Sequence, residues 1–246
     1  MKKCAFFIVL ALTCTFASKI KAQVSFSAQA DLQSRYLWRG QLAGGNSPSI
    51  QPGATLSWKG LALDVWGAYS LTDIDHQELD WTLSYTFLDD MLRLQLTDYS
   101  FPTMLGGYHY FDYRKDVTDH LMEVGLQFNI PTTELTLSAY CNVWGNDTRN
   151  LDGSMVYSAY AELSYSHEFS GINTTFDCAA GCALNSGNMG GFYGNDGFTL
   201  VNLSLGFTYQ PDESAWFKAP VYTRLIANPN DSKMWLMCGT TIPLSK

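Results

Sequence analysis

Apolar and polar residues alternate with a period of two along most of the chain. The clearest stretch runs from Glu78 to Thr97. Leu79, Trp81, Leu83, Tyr85 and Phe87 are separated by Asp80, Thr82, Ser84 and Thr86. After the corner Leu88-Asp89-Asp90-Met91, Leu92, Leu94 and Leu96 alternate with Arg93, Gln95 and Thr97. Successive side chains of a strand point to opposite faces, so this pattern predicts an antiparallel hairpin with one apolar and one polar face.

The same unit repeats to predict about twelve strands. The first is expected over Val24–Arg39, with Phe26, Ala28, Ala30, Leu32, Tyr36 and Trp38 on its apolar face. The eleventh is expected near Trp216–Ala227. The last, Lys233–Leu244, has an ambiguous phase, because Trp235 and Met237 compete with Leu236 and Ile242. The connections alternate in length. Those after the even strands are tight, such as Lys59-Gly60 and Ser170-Gly171. Most of those after the odd strands are long and rich in Gly, Asn, Asp or aromatic residues. Alternating short and long connections on an even number of strands predict an all-β fold, an antiparallel up-and-down transmembrane β-barrel.

Alternation alone does not decide which face is inside. A soluble barrel hides its apolar face and shows the polar one. Three features argue for the reverse. The polar faces carry mainly Ser, Thr, Asn, Gln and Gly rather than the Lys and Glu of a soluble surface. About eight strands already fill a barrel with side chains, and more are expected here. The loop asymmetry has no role in a soluble barrel. With the apolar face in lipid, the strand charges Asp31, Arg35, Arg39, Asp64, Glu78, Asp80, Arg93, Glu123, Glu162, Asp177 and Arg224 line the lumen. A charge facing mid-bilayer costs several kcal/mol, so these residues need a wet or paired interior. Mixed signs fit either a narrow selective pore or a filled lumen held by ion pairs.

Composition agrees. The 246 residues carry only 15% charged side chains, with 14 Tyr and 14 Phe. Beyond the N-terminus no apolar run reaches the roughly 20 residues of a spanning helix. Residues 1–22 read as a signal peptide: Lys2 and Lys3, then an apolar core from Cys4 to Phe16, with cleavage expected after Ala22. Ala17-Ser18 is a second cleavage point. Cys14 raises lipidation, against which the Leu12-Thr13 approach argues. Residues 23–246 then form one barrel domain. Loss of Lys2, Lys3, Lys19 and Lys21 leaves 11 basic against 23 acidic residues, a net charge of −12. Such a chain is a poor ligand for nucleic acid. Cys178 and Cys182 are four apart on one strand face, about 13 Å at strand rise, too far to bridge.

Catalytic and metal signals are weak. His76, His109, His120 and His167 sit in loops or near strand ends, and no Gly-x-Ser-x-Gly occurs. Asp73, Asp75, His76 and Glu78, or the loop 146–152, could approach a divalent ion, but neither matches a calcium loop. No cofactor or enzymatic activity is expected. The aromatic cluster Tyr108, Tyr110, Phe111 and Tyr113, in the longest connection, is the candidate for binding a partner or glycan.

One family resemblance stands on short motifs. Ser34-Arg35-Tyr36-Leu37-Trp38-Arg39-Gly40, followed by Pro48-Ser49-Ile50-Gln51-Pro52-Gly53, resembles the opening of the TorF-type porins. Glu78-Leu79-Asp80-Trp81 and Thr97-Asp98-Tyr99 are similar to that family's middle strands, so the resemblance covers roughly residues 30–100. Arg35 stands where the family commonly has an acid. The resemblance implies an outer-membrane barrel; the polar, mixed-charge interior and the alternating loops point to passage of small hydrophilic solutes or ions. The alternative is a non-conducting surface protein that binds through its loops, with an outer-membrane hydrolase a distant third. Oligomeric state is not legible.

Overall fold

The computed structural model describes residues 24–73, 76–102, 108–114, 117–194, 197–212 and 214–245. The expected signal segment 1–22, Asp75, and residues 103–107 and 115–116 of the longest connection lie outside them. The strands are β1 Ser25–Gln33, β2 Leu37–Trp38, β3 Gln41–Leu42, β4 Ser49–Trp58, β5 Leu61–Ser70, β6 Gln77–Phe87, β7 Leu92–Ser100, β8 His120–Asn129, β9 Leu135–Gly145, β10 Ala159–Phe169, β11 Thr174–Ala183, β12 Thr199–Tyr209, β13 Val221–Asn228 and β14 Lys233–Pro243. Twelve of them form a closed antiparallel barrel in which each neighbours the next in sequence. β1 closes it, pairing with β4 from Ser25–Ser57 to Gln33–Ser49 and with β14 from Gln29–Pro243 to Gln33–Gly239. β2 and β3 form a separate two-stranded hairpin. Closure leaves no barrel edge unpaired.

The apolar face points outward. Phe26, Leu56, Leu63, Leu83, Leu94, Leu126, Leu163, Leu205 and Phe207 are all exposed on the outer wall. Buried inside are Gln51, Ser84, Thr97, Glu123, Ser138, Asn142 and Asn202. A soluble fold that buries polar side chains and exposes Leu and Phe in rows would forgo its main source of stability.

Three expectations about the strands are corrected. The first strand ends at Gln33 rather than Arg39. The chain then folds inward, and Tyr36 carbonyl oxygen accepts from the Ala43 amide at 3.1 Å. The turn rests on Arg39 and Gly40, both left-handed, at φ 48° and 75°. A Cβ on Gly40 would lie 1.9 Å from the Val201 carbonyl oxygen, so only glycine fits. Tyr36 and Trp38, expected on the outer face, therefore lie inside, where Trp38 meets Tyr99 and Tyr193 at centroid distances of 5.7 and 5.6 Å.

The tight turn expected after Tyr209 is a longer connection, and β13 starts at Val221 instead of near Trp216. Pro220 has no N–H for the ladder; its carbonyl instead accepts from Thr240 Oγ1 at 2.7 Å. Trp216 is left exposed. In β14 the ambiguity resolves with Met234, Leu236 and Ile242 outward and Met237 buried inside. With two exceptions, the long Tyr209–Val221 connection at the turn end and the short Asn228–Lys233 connection at the loop end, the short connections gather at one end of the barrel, the turn end, and the longer ones at the other, the loop end.

Candidate functional site: the barrel lumen

The lumen has two halves of different character. At the loop end it is filled. The infolded β1–β4 loop carries Arg39 into the interior, where it meets Glu123 from the inner face of β8. Arg39 Nη1 and Nη2 reach Glu123 Oε2 and Oε1 at 2.5 and 2.9 Å. Tyr99 and Tyr193 donate their hydroxyls to the same carboxylate at 3.0 and 2.7 Å. The guanidinium lies 4.4 Å from the Trp38 ring centroid and 3.9 Å from that of Tyr140. Tyr160, Ala183, Tyr193 and Val201 are buried around it, with Trp38, Tyr140 and Phe192 packed against them.

Local sequence explains how this cluster fits. A register shift between Gly181 and Cys182 brings Val201 into the interior. Gly181 has no side chain because the Tyr160 hydroxyl occupies the space: a Cβ there would be 1.9 Å from it. The Glu123 side chain is 1% exposed and that of Arg39 9%. A bidentate pair desolvated this far, with every carboxylate oxygen hydrogen-bonded, is a rigid structural element as well as a charge.

At the turn end the lumen is open. Arg93 lies 3.6 Å from Asp64 and Arg224 3.5 Å from Asp177, with side chains 37% and 28%, and 43% and 25%, exposed. Thr55 Oγ1 donates to Asp64 at 2.6 Å and Thr241 Oγ1 to Asp31 at 2.5 Å. A cavity of about 440 Å³ is lined by Glu162, Ser164, Asp177, Ser204, Thr208 and Arg224, among others. Glu162 marks the border between the halves, accepting from the Tyr160 hydroxyl and, at 2.9 Å, from Asn202 Nδ2.

Of the lumen candidates, then, Arg39 and Glu123 meet in the seal. Asp64 with Arg93, and Asp177 with Arg224, pair in the open half. Asp31 and Glu162 are hydrogen-bonded, with no ion pair among the described residues. Asp80 is 8% exposed, and its Oδ1 has no partner among the described residues. Arg35 is half-buried in the bend after β1.

The aromatic loop lies against the barrel's outer wall. Strand alternation puts Asp98, Ser100 and His120 on the outer face, and the loop covers them. His120 Nδ1 bonds Asp98 Oδ1 at 2.8 Å and its Nε2 bonds the Tyr110 carbonyl at 2.6 Å. Tyr113 stacks on His120 at 4.2 Å and donates to Asp98 at 3.0 Å. Burial, then the Asp98 hydrogen bond, pushes the Tyr113 hydroxyl above its usual range. Tyr108 and Ser100 share a hydroxyl hydrogen bond of 2.6 Å. Phe111, by contrast, is 88% exposed at the loop tip. Next to it the Arg114 guanidinium holds Asp112 down at about 2.

Sequence reasoning missed the tyrosines of the seal. Tyr140 stands in phase with Ser138 and Asn142, and Tyr160 with Ser158 and Glu162, which is a usable signal, since large aromatics facing inward fill a lumen. Tyr193 lies in a Gly/Asn loop and carried none. His76 pairs with Asp73 at 3.0 Å on the surface. Among the described residues, no group of three or more His, Cys, Asp or Glu is placed to hold a metal.

No family model matches the chain, and no curated protein does. A solved structure of a triple mutant of the Rh. blastica porin is similar to it at TM-score 0.41 and 14% identity. The match covers 82% of this chain and 57% of the porin, so the chain spans a little over half of that protein.

Proposed function

We propose that the protein is an outer-membrane barrel of the porin type that passes small hydrophilic solutes or ions, with the Arg39–Glu123 cluster as its narrowest point. The carrying observation is the inverted wall: Leu and Phe outside, a polar lumen with charges of both signs inside. The signal-like segment at residues 1–22 and the TorF-type resemblance support the same location. In that orientation the long loops face outside and the short turns the periplasm. Solute arriving from outside meets the seal first and, once past it, leaves through the open half. Passage through this lumen is therefore small and intermittent, set by movement of the infolded loop carrying Arg39.

The seal also favours a second reading, a barrel that does not conduct. Single-channel recording of refolded protein in a planar bilayer separates the two. The proposal expects small, infrequent steps in the native protein and larger or more frequent ones in Arg39→Ala. Silence from both, with folding established by heat-modifiable gel migration, would overturn it.

A further inference from the structure

Beside the seal, at the loop end, is a second cavity of about 240 Å³. Its wall is aromatic, with Tyr36, Trp38, Tyr99, Phe101 and Phe192, and one carboxylate, Glu78, faces it. Tyr36 lies within hydrogen-bonding reach of Glu78, and so does Asp80, the next inward residue of β6. Asp80 is more than nine-tenths buried with Oδ1 unpartnered. Neither carboxylate has an ion pair among the described residues. Arg39, which follows Trp38 of the cavity wall, is already held by both oxygens of Glu123. His76, at the cavity's edge, is held by Asp73.

Two adjacent, poorly hydrated carboxylates are costly unless a positive charge or a proton offsets them. A proton shared between Glu78 and Asp80 leaves the pair one negative charge, and none of the described residues lining the cavity is Lys or Arg. Aromatic faces attract a cation, most strongly one that is weakly hydrated and easily stripped of water. A bare metal ion would want more oxygen ligands than this cavity offers.

From the cavity, the ring faces and the unpaired acids together, we infer that this is a binding site for a small organic cation, a quaternary or alkylated ammonium. The rings of Tyr36, Trp38 and Tyr99 enclose its alkyl groups, and Glu78, with Asp80 beside it, supplies the counter-charge. The site sits on the loop side of the seal, so ligand reaches it without crossing the lumen. Binding therefore stands whether or not the barrel conducts.

Tetramethylammonium is the probe, titrated into refolded full-length protein and followed by tryptophan fluorescence and calorimetry. tert-Butanol, of similar shape and no charge, and sodium are the controls. Saturable binding of tetramethylammonium alone is expected, weakened at least about tenfold by Glu78→Gln, because a buried charge partner is lost. Asp80→Asn should weaken it less. Both variants keep the size of the side chain and lower the negative charge that the pair can carry, and heat-modifiable gel migration checks that each one folds. Equal binding of tert-butanol, unchanged affinity in Glu78→Gln, or no saturable signal up to about 100 mM, a range that covers millimolar affinities, would overturn the inference. None of these outcomes bears on conductance, which the bilayer recording decides separately.

Discussion

The barrel contains arginine–carboxylate pairs of two kinds. Arg39–Glu123 in the loop half is bidentate, wrapped in tyrosine and tryptophan, and nearly inaccessible to water. Arg93–Asp64 and Arg224–Asp177 in the turn half are longer contacts between partly exposed side chains. The residue types are the same, but the surroundings differ. Buried charges depend on their partners, because nothing else solvates them. Wet charges keep water as an alternative, so each pair contributes little to stability and stays accessible from the lumen. The loop half is built to hold its shape, and the turn half to present charge.

Removing one partner from each half should expose that contrast. The largest effect is expected for Glu123→Ala, which leaves the Arg39 guanidinium buried without its counter-charge. A loss of about 3–5 kcal/mol is expected, read as a lower denaturant midpoint in the gel-migration assay. An unaltered midpoint would mean that water reaches the seal. Glu162→Gln tests the border and should cost about 1.5–3 kcal/mol, because charged hydrogen bonds to Tyr160 and Asn202 are weakened. A cost as small as that of the open pairs would move the border toward the loops.

Gly40→Ala leaves every charge in place but pushes a methyl into the Val201 carbonyl. It should cost about 1–3 kcal/mol through strain and raise conductance by displacing the infolded loop. If conductance stays at the native level, the loop does not control passage. The smallest stability change is expected for Arg224→Ala, under about 1 kcal/mol because the contact is long and both side chains are partly exposed. Its effect should show in the reversal potential, which moves toward cation preference as a positive charge leaves the vestibule. An unmoved reversal potential would remove Arg224 from the ion path.

Much of this architecture was legible residue by residue. The alternation of Leu79, Trp81, Leu83 and Tyr85 with polar neighbours located β6, and its repetition located the other barrel strands, with the end of β1 and the start of β13 misplaced. The Ser/Thr/Asn/Gln character of the polar faces pointed to the correct inside. Arg39 and Glu123 were both placed on lumen faces. Their meeting was not legible, since they are 84 residues apart and nothing near either one names the other. The infolding after Gln33 was missed because Tyr36 and Trp38 continue the alternation of β1 through a bend. Period two records only which side a residue takes while the strand lasts, not where the strand stops.

What the sequence determined by itself is local: strand-forming segments, their two faces, their number, and the uneven lengths of their connections. These follow from side-chain chemistry at neighbouring positions, and the chain carries that information wherever it is read. What only the tertiary structure decided is how the interior is divided. Closing β1 onto β14 brings distant faces opposite one another, and the left-handed turn at Arg39-Gly40 then places one arginine among aromatic rings and against Glu123. Arg93 and Arg224, with the same chemistry, remain in water. The difference between a sealed charge and a wet one lies in dielectric surroundings, and those exist only once the barrel is closed.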